Sequence, residues 1–186
     1  MPPRVCPWWG GYFIDNRFRR LLHKPEAILA THVRLGMAVM DFGCGMGFFA
    51  IPMARLVGNC GRVVAVDLQQ KMLDALRKRA AKAGVADRIH THRCQRDSLG
   101  VETTVDFVLA FYSVHEVPDS RRLFREIHNC LRPRGKLLVV EPIGHVTAPA
   151  FQQTVSRAEE IGFTLQDRRR IRLSRAALLK RGAAAV

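Results

Sequence analysis

An α/β fold built on a largely parallel sheet is what this 186-residue chain predicts, and three observations carry that reading. Apolar runs alternate with segments of helical spacing from residue 38 onward. Several of those runs are nearly continuous in apolar residues, the pattern of strands buried on both faces. A turn dense in glycine joins the first run to the first helical pattern in VMDFGCGMGFFAIPMARL, residues 39–56, the placement at which α/β sheets bring backbone close to a ligand.

The elements follow in order. Residues 1–35 stand apart as Trp-rich and basic, with PEAILATHV read as a helix opened by Pro25. Strand candidates are AVMDF (38–42), RVVAVD (62–67), RIHTHRC (88–94), VDFVLAF (105–111) and GKLLVVE (135–141). Pro52 conflicts with a helix after the glycines unless it falls in the first turn. Met72, Leu73, Leu76 and Ala80 form one helical face that Gly84 terminates, and Leu123, Phe124, Ile127 and Leu131 form another before Pro133. A further helix carries Phe151, Val155 and Ala158 up to Gly162, after which Phe163, Leu165, Ile171 and Leu173 read as edge strands of a hairpin. The expected organisation is an N-terminal segment at 1–35, one domain at 36–181 and a tail at 182–186.

Composition narrows the class. With 48% hydrophobic residues the chain suits a single domain with a sizeable core. No apolar run approaches the ~18 residues of a membrane span, and MPPRVCPWWGGYF lacks the order of a signal peptide, so a cytoplasmic protein is expected. The five cysteines are scattered and never spaced as CxxC, which points to neither a disulfide framework nor a metal site. Thirty Lys and Arg against 16 Asp and Glu give a formal net charge of +14. The groups RFRR, RKR, RPRGK and DRRRIR are spread along the chain, which suits a solvated basic surface better than a nucleic-acid footprint.

The glycine turn admits several cofactors. A dinucleotide fingerprint needs glycine at its first, third and sixth positions, and counting from Gly43 the sixth is Phe48. A phosphate-binding loop of the Walker type fails because no Lys-Ser or Lys-Thr follows. What remains is D-x-G-x-G-x-G, with Asp41 ahead of Gly43, Gly45 and Gly47, and Asp67 ending the next strand twenty residues beyond Gly47. An acid there can accept hydrogen bonds from both ribose hydroxyls. Asp41 and Asp67 also have a simpler reading as turn or cap residues.

On DFGCGMG, VVAVD, CQRDSLG, VLAFYSVHEVPD and LRPRGKLLVVEP, the chain over roughly residues 36–180 resembles the class I methyltransferases that use S-adenosylmethionine. The motif block is most similar to members related to the quinone-pathway C-methyltransferases. The resemblance implies a Rossmann-like, seven-stranded, mostly parallel sheet with helices on both faces and an antiparallel C-terminal hairpin strand. It implies a turn of Gly43, Cys44, Gly45 and Gly47 against the methionine moiety, Asp41 near its ammonium end, and Asp67 with Leu68 at the ribose. Asp97 falls where a polar residue meets the adenine amino group, although Asp-Ser in a loop makes a turn equally well. Phe111 closes the fourth strand beside the cofactor.

A sulfonium donor already carries an activated methyl group and a neutral leaving group, so the protein mainly holds the nucleophile in line and excludes water. A base is needed only for protonated nucleophiles. His115, Glu116 and Tyr112 in FYSVHE are the catalytic candidates, with Glu141 and His145 behind them; His115 reads equally as a cap of the next helix. Cys6, Trp8, Trp9 and Tyr12 suit either a lid over an apolar acceptor or anchors in packing or a homodimer interface. The leading function is methyl transfer to a small molecule. An RNA or protein methyltransferase, or a nonenzymatic nucleic-acid-binding descendant, is the second reading, suggested by the arginines and opposed by AFYS where an Asn-Pro-Pro-Tyr type motif would stand. An NAD-dependent oxidoreductase is the third, opposed by Phe48.

Overall fold

The computed structural model describes residues 23–182. Cys6, Trp8, Trp9 and Tyr12, and residues 183–186 of the expected tail, lie outside the described residues. The described chain forms two compact units that divide between Cys94 and Gln95.

The first unit holds α1 (Pro25–Leu29), β1 (Ala38–Phe42), α2 (Ala50–Val57), β2 (Arg62–Asp67), α3 (Gln70–Lys82), a 3₁₀ turn at Ala86–Arg88 and β3 (Ile89–Arg93). Its strands run parallel in the order β3-β2-β1, with Phe42 opposite Val66 and Asp67 opposite Arg93. All five residues of β1 are buried, as are the four central residues of β2. That is why both read as continuous apolar runs. The polar sequence IHTHR of β3 is half-exposed along its length.

Pro52 is the third residue of α2, in the first turn, where no intrahelical amide bond is lost. The helix buries Ala50, Pro52, Met53, Ala54 and Val57. α3 buries Met72, Leu73, Leu76 and Ala80 at helical spacing and stops where Gly84 turns left-handed, its N–H reaching the Ala81 carbonyl. α1 is shorter than PEAILATHV suggests and closes at Leu29, with Ala30 as its C-cap.

The second unit holds β4 (Val105–Phe111), a 3₁₀ turn at Val114–Glu116, α4 (Ser120–Cys130), β5 (Leu131–Pro142), α5 (Ala148–Glu160), β6 (Phe163–Arg169) and β7 (Ser174–Arg181). Its strand order is β4-β5-β7-β6. β4 and β5 are parallel, and β7 is antiparallel to both β5 and β6. Asp119 caps α4 by accepting from the Arg122 amide, and Thr147 caps α5 by accepting from Ala150. The core centres on Phe107, Leu109, Phe124, Ile127, Leu137 and Leu138, each no more than 1% exposed.

Two sequence expectations are corrected. β5 starts at Leu131, four residues before the anticipated Gly135, because Leu131 pairs with Val105 before the register shifts and Lys136 pairs with Phe107. The extra residues on β5 form an irregularity that accommodates Pro133, as strands do for proline. Ile171 and Leu173 lie in the connection between β6 and β7, and Leu173 is 54% exposed. The second hairpin strand is instead β7, which is paired on both sides and whose Ala176, Ala177, Leu178 and Leu179 are buried.

Candidate cofactor and acceptor half-sites

In the first unit, β1 ends in the glycine turn. The Gly43 and Cys44 amides donate to the Val66 carbonyl at 2.9 and 3.0 Å, which ties the turn to β2. Gly45 has φ 51° and a Cβ built there meets nothing within 4 Å, so this glycine faces open space. Gly47 is required by packing: at φ 92° its Cβ would stand 2.2 Å from Leu76 Cδ1 on α3.

Asp67 connects the turn to the end of β2. Its Oδ2 accepts from the Gly45 amide at 2.9 Å and its Oδ1 from the Gln69 amide at 2.8 Å. A carboxylate offers about four lone-pair positions, so acceptor capacity remains for hydroxyl groups of a ligand. Burial pushes the Asp67 carboxyl above the ordinary aspartate value, opposed by the Gln69, Gly45 and Leu68 amides. Asp41 lies on β1 and is 2% exposed. Cys44 is buried, and burial first, then the negative charges of Asp41 and Asp67, push its thiol well above the usual value. That holds it as an apolar thiol and not a nucleophile. Leu68 is half-buried, and its carbonyl accepts from Arg93 Nε at 3.4 Å.

In the second unit, β4 delivers Phe111, 3% exposed, and then Tyr112 in the left-handed region at φ 61°. The Tyr112 amide donates to the Val140 carbonyl at 2.8 Å, and its hydroxyl lies 2.6 Å from Ser174 Oγ. Ser174 donates its own proton to the Arg172 carbonyl, so Tyr112 is the donor between them. The 3₁₀ turn that follows brings His115 onto Glu141 at the end of β5. Glu141 Oε1 accepts from the His115 amide at 3.1 Å and Oε2 contacts His115 Nδ1 at 2.5 Å.

Glu141 is 1% exposed, whereas 28% of the His115 side chain reaches solvent. A carboxylate only accepts, so Nδ1 carries the proton and Nε2 is left as the basic nitrogen. The hydrogen bond to Glu141 raises the His115 pKa; burial opposes it, and the charges of Glu141 and Glu116 add to it. His145 places its ring 6.1 Å from that of His115. The sequence named His115 and Glu141 in different ranks, and the structure joins them in one pair. Glu116 acts on His115 through charge, and the Tyr112 hydroxyl is engaged by Ser174.

Asp97 is 68% exposed and pairs with Arg122 at 3.5 Å. The loop around it is organised by Glu126 on α4, whose Oε2 accepts from the amides of Leu99 and Gly100 at 2.5 and 3.3 Å and from Ser98 Oγ at 3.3 Å. Sequence reasoning passed over Glu126. Its available signal was the spacing to Arg122, one helical turn earlier, which it pairs with at 3.1 Å.

Parallel strands leading into a glycine turn, with an acid at the end of the second strand, define a nucleotide-type cofactor domain. The chain belongs to the methyltransferase domain family, whose family model matches residues 39–135. It is 33% identical over 121 residues to the ubiquinone/menaquinone biosynthesis C-methyltransferase UbiE of Cellvibrio japonicus, an alignment covering 64% of this chain and 49% of that one. The chain thus spans about half the length of the curated relatives it matches.

A solved S-adenosylmethionine-dependent methyltransferase from Aquifex aeolicus superposes with a TM-score of 0.84 at 19% identity, covering 95% of this chain and 98% of that one. An O-methyltransferase from Thermotoga maritima gives 0.68 at 19% identity, covering 100% and 69%. The Rossmann-like class I fold expected from sequence, with its antiparallel β7, is therefore the fold of this chain, and S-adenosylmethionine is the cofactor that family and fold imply. Among the described residues no helix is long and apolar enough to cross a membrane.

Proposed function

We propose that the chain transfers a methyl group from S-adenosylmethionine to a small-molecule acceptor whose reacting position bears an acidic proton, and that His115 removes that proton. The observation carrying this reading is the His115–Glu141 pair, in which one buried carboxylate holds both the backbone amide and Nδ1 of the histidine. Such an arrangement fixes the tautomer and leaves Nε2 as the base, and a base raised above its ordinary pKa is a stronger proton acceptor. Bound S-adenosylmethionine supplies the activated methyl group.

The residues fit that cofactor. Asp67 has acceptor capacity for ribose hydroxyls, Gly45 leaves open space beside it, and buried Asp41 suits an ammonium group. Leu68, in the same unit, adds apolar surface for the adenosine. An acceptor with a phenolic or similarly acidic group agrees with the curated relatives, which are named as quinone-biosynthesis C-methyltransferases. Removal of the hydroxyl proton by His115 Nε2 makes the adjacent ring carbon nucleophilic; once that carbon carries the methyl group its own hydrogen leaves as a proton, the hydroxyl regains one from the histidine, and the ring is again aromatic with one proton released overall. Glu116 and Tyr112 orient the acceptor.

The test is calorimetric titration with S-adenosylmethionine and S-adenosylhomocysteine, followed by transfer of labelled methyl groups to phenolic and quinol acceptors. Wild-type protein is expected to bind both sulfur ligands and to methylate at least one acceptor, with His115→Ala binding the donor but turning over poorly. Donor binding with undiminished turnover in His115→Ala would remove the base from the mechanism.

A further inference from the structure

At the opposite end of β5 from Glu141, a cleft of about 480 Å³ opens between the strand's start and the β6–β7 hairpin. Lys136 and Glu141 are five positions apart along the strand, about 17 Å of extended chain. The cleft is therefore separate from the His115–Glu141 pair. Arg134, Lys180 and Arg181 line it together with Thr164 and Gln166, and no acidic residue is among its lining. Its volume is that of a small-ligand pocket.

Basic groups gather in the cleft and directly beside it. Lys136 on β5 stands directly opposite Lys180 on β7, and Thr164 on β6 is opposite Lys180 in turn. Like charges directly opposite one another weaken a strand pair. Arg134 is held at φ 66°, a conformation that residues with a Cβ seldom adopt. Arg181 Nη1 donates to the Leu131 carbonyl, which fixes the guanidinium before any ligand arrives. The neighbouring carboxylate, Asp106, is engaged by Arg132 at 2.7 Å. Among the described residues, Arg134, Lys136 and Lys180 form no ion pair.

We propose that this cleft binds a phosphate-bearing ligand through Arg134, Lys180 and Arg181, with the Thr164 hydroxyl and Gln166 amide as neutral donors. A phosphate presents several acceptor oxygens to a forked guanidinium and to an ammonium group at once, and its charge offsets the Lys136–Lys180 repulsion.

The experiment is calorimetric titration of the full chain with inorganic pyrophosphate, alongside thermal unfolding. The variants are Lys180→Gln and Arg134→Gln, with Arg77→Gln as the control, since Arg77 sits on α3 in an exposed pair with Asp74. Wild type is expected to show one saturable site. Either cleft variant should lose about tenfold or more in affinity, while the control stays close to wild type. Lys180→Gln should also unfold at a higher temperature than wild type without ligand, and lose the upward shift that pyrophosphate gives wild type.

Vesicles of phosphatidylcholine with and without phosphatidic acid separate the two sources of such a group. Binding that depends on both phosphatidic acid and the cleft marks a lipid headgroup, and pyrophosphate binding without vesicle binding marks a free phosphorylated molecule. No saturable heat with wild type, or equal loss in all three variants, overturns the proposal. So does binding of a short RNA that pyrophosphate does not displace and neither cleft variant weakens.

Discussion

The Gly45 amide donates to Asp67 Oδ2 at 2.9 Å, joining residues 22 positions apart in sequence. The bond ties the glycine turn after β1 to the end of β2 and aims the carboxylate. Because burial raises the Asp67 pKa, the ionised acceptor that a ribose diol needs is complete only above that raised value. S-adenosylmethionine affinity is expected to fall on acidification, beginning at higher pH than an ordinary aspartate would set. Asp67→Asn should weaken binding by about 1–3 kcal/mol and flatten this dependence. Calorimetry across the acidic range checks both, and an unchanged pH profile in Asp67→Asn would exclude Asp67 as the titrating group.

For His115 the sign is opposite. Its folded pKa lies above the ordinary 6.5, so its stabilising contribution is fully present below 6.5 and is lost as pH rises through the folded value. The thermal midpoint of wild type should therefore decline relative to His115→Ala across that window. Turnover should rise over the same window as Nε2 becomes free. Glu141→Gln weakens the hydrogen bond and removes the charge with which Glu141 raises the histidine, which moves the rate limb to lower pH and lowers the plateau.

His115→Ala should reduce turnover by about 10²–10⁴-fold, the usual contribution of a positioned base. Donor affinity should remain close to wild type. Steady-state kinetics and calorimetry on one sample distinguish this from a folding defect, which would lower both.

Gly45 and Gly47 should respond differently to alanine. Gly47→Ala drives a Cβ to 2.2 Å from Leu76 Cδ1, and Leu76 is fully buried, so overpacking costs about 1–3 kcal/mol of stability. Gly45→Ala meets nothing within 4 Å and costs about 1–2 kcal/mol for its left-handed backbone. Its larger effect should be on S-adenosylmethionine affinity, because the methyl enters space a ligand would use. Urea unfolding and donor titration of both variants separate packing from binding.

Glu126→Ala removes the acceptor for the Leu99 and Gly100 amides. Hydrogen exchange at those amides should accelerate, with a stability loss of about 1–3 kcal/mol. Amides of β4 should keep their protection.

Much of this fold was legible because local pattern and tertiary role agree. AVMDF, RVVAVD and VDFVLAF became β1, β2 and β4 at the anticipated residues, since strands buried on both faces write themselves as apolar runs. Ile171 and Leu173 misled because they are apolar yet sit in a connection, while AALL within Ser174–Arg181 owes its place to partners on both sides. The site shows the same division. Asp67 and the glycines announce themselves by spacing along one crossover. The pairing of His115 with Glu141 and the grip of Glu126 on residues 98–100 depend on contacts between elements 26 to 28 positions apart, which no local pattern encodes.

The hydroxyl bond from Tyr112 to Ser174 has a consequence for how acceptor preference could change over evolution. Ser174 opens the last strand, so the side chain at the exit of β4 is steered from the far end of the sequence. Exchange of the β6–β7 hairpin between relatives would reset Tyr112 while leaving the glycine turn and Asp67 unaltered. Donor use and acceptor choice would then be inherited on separable stretches of chain.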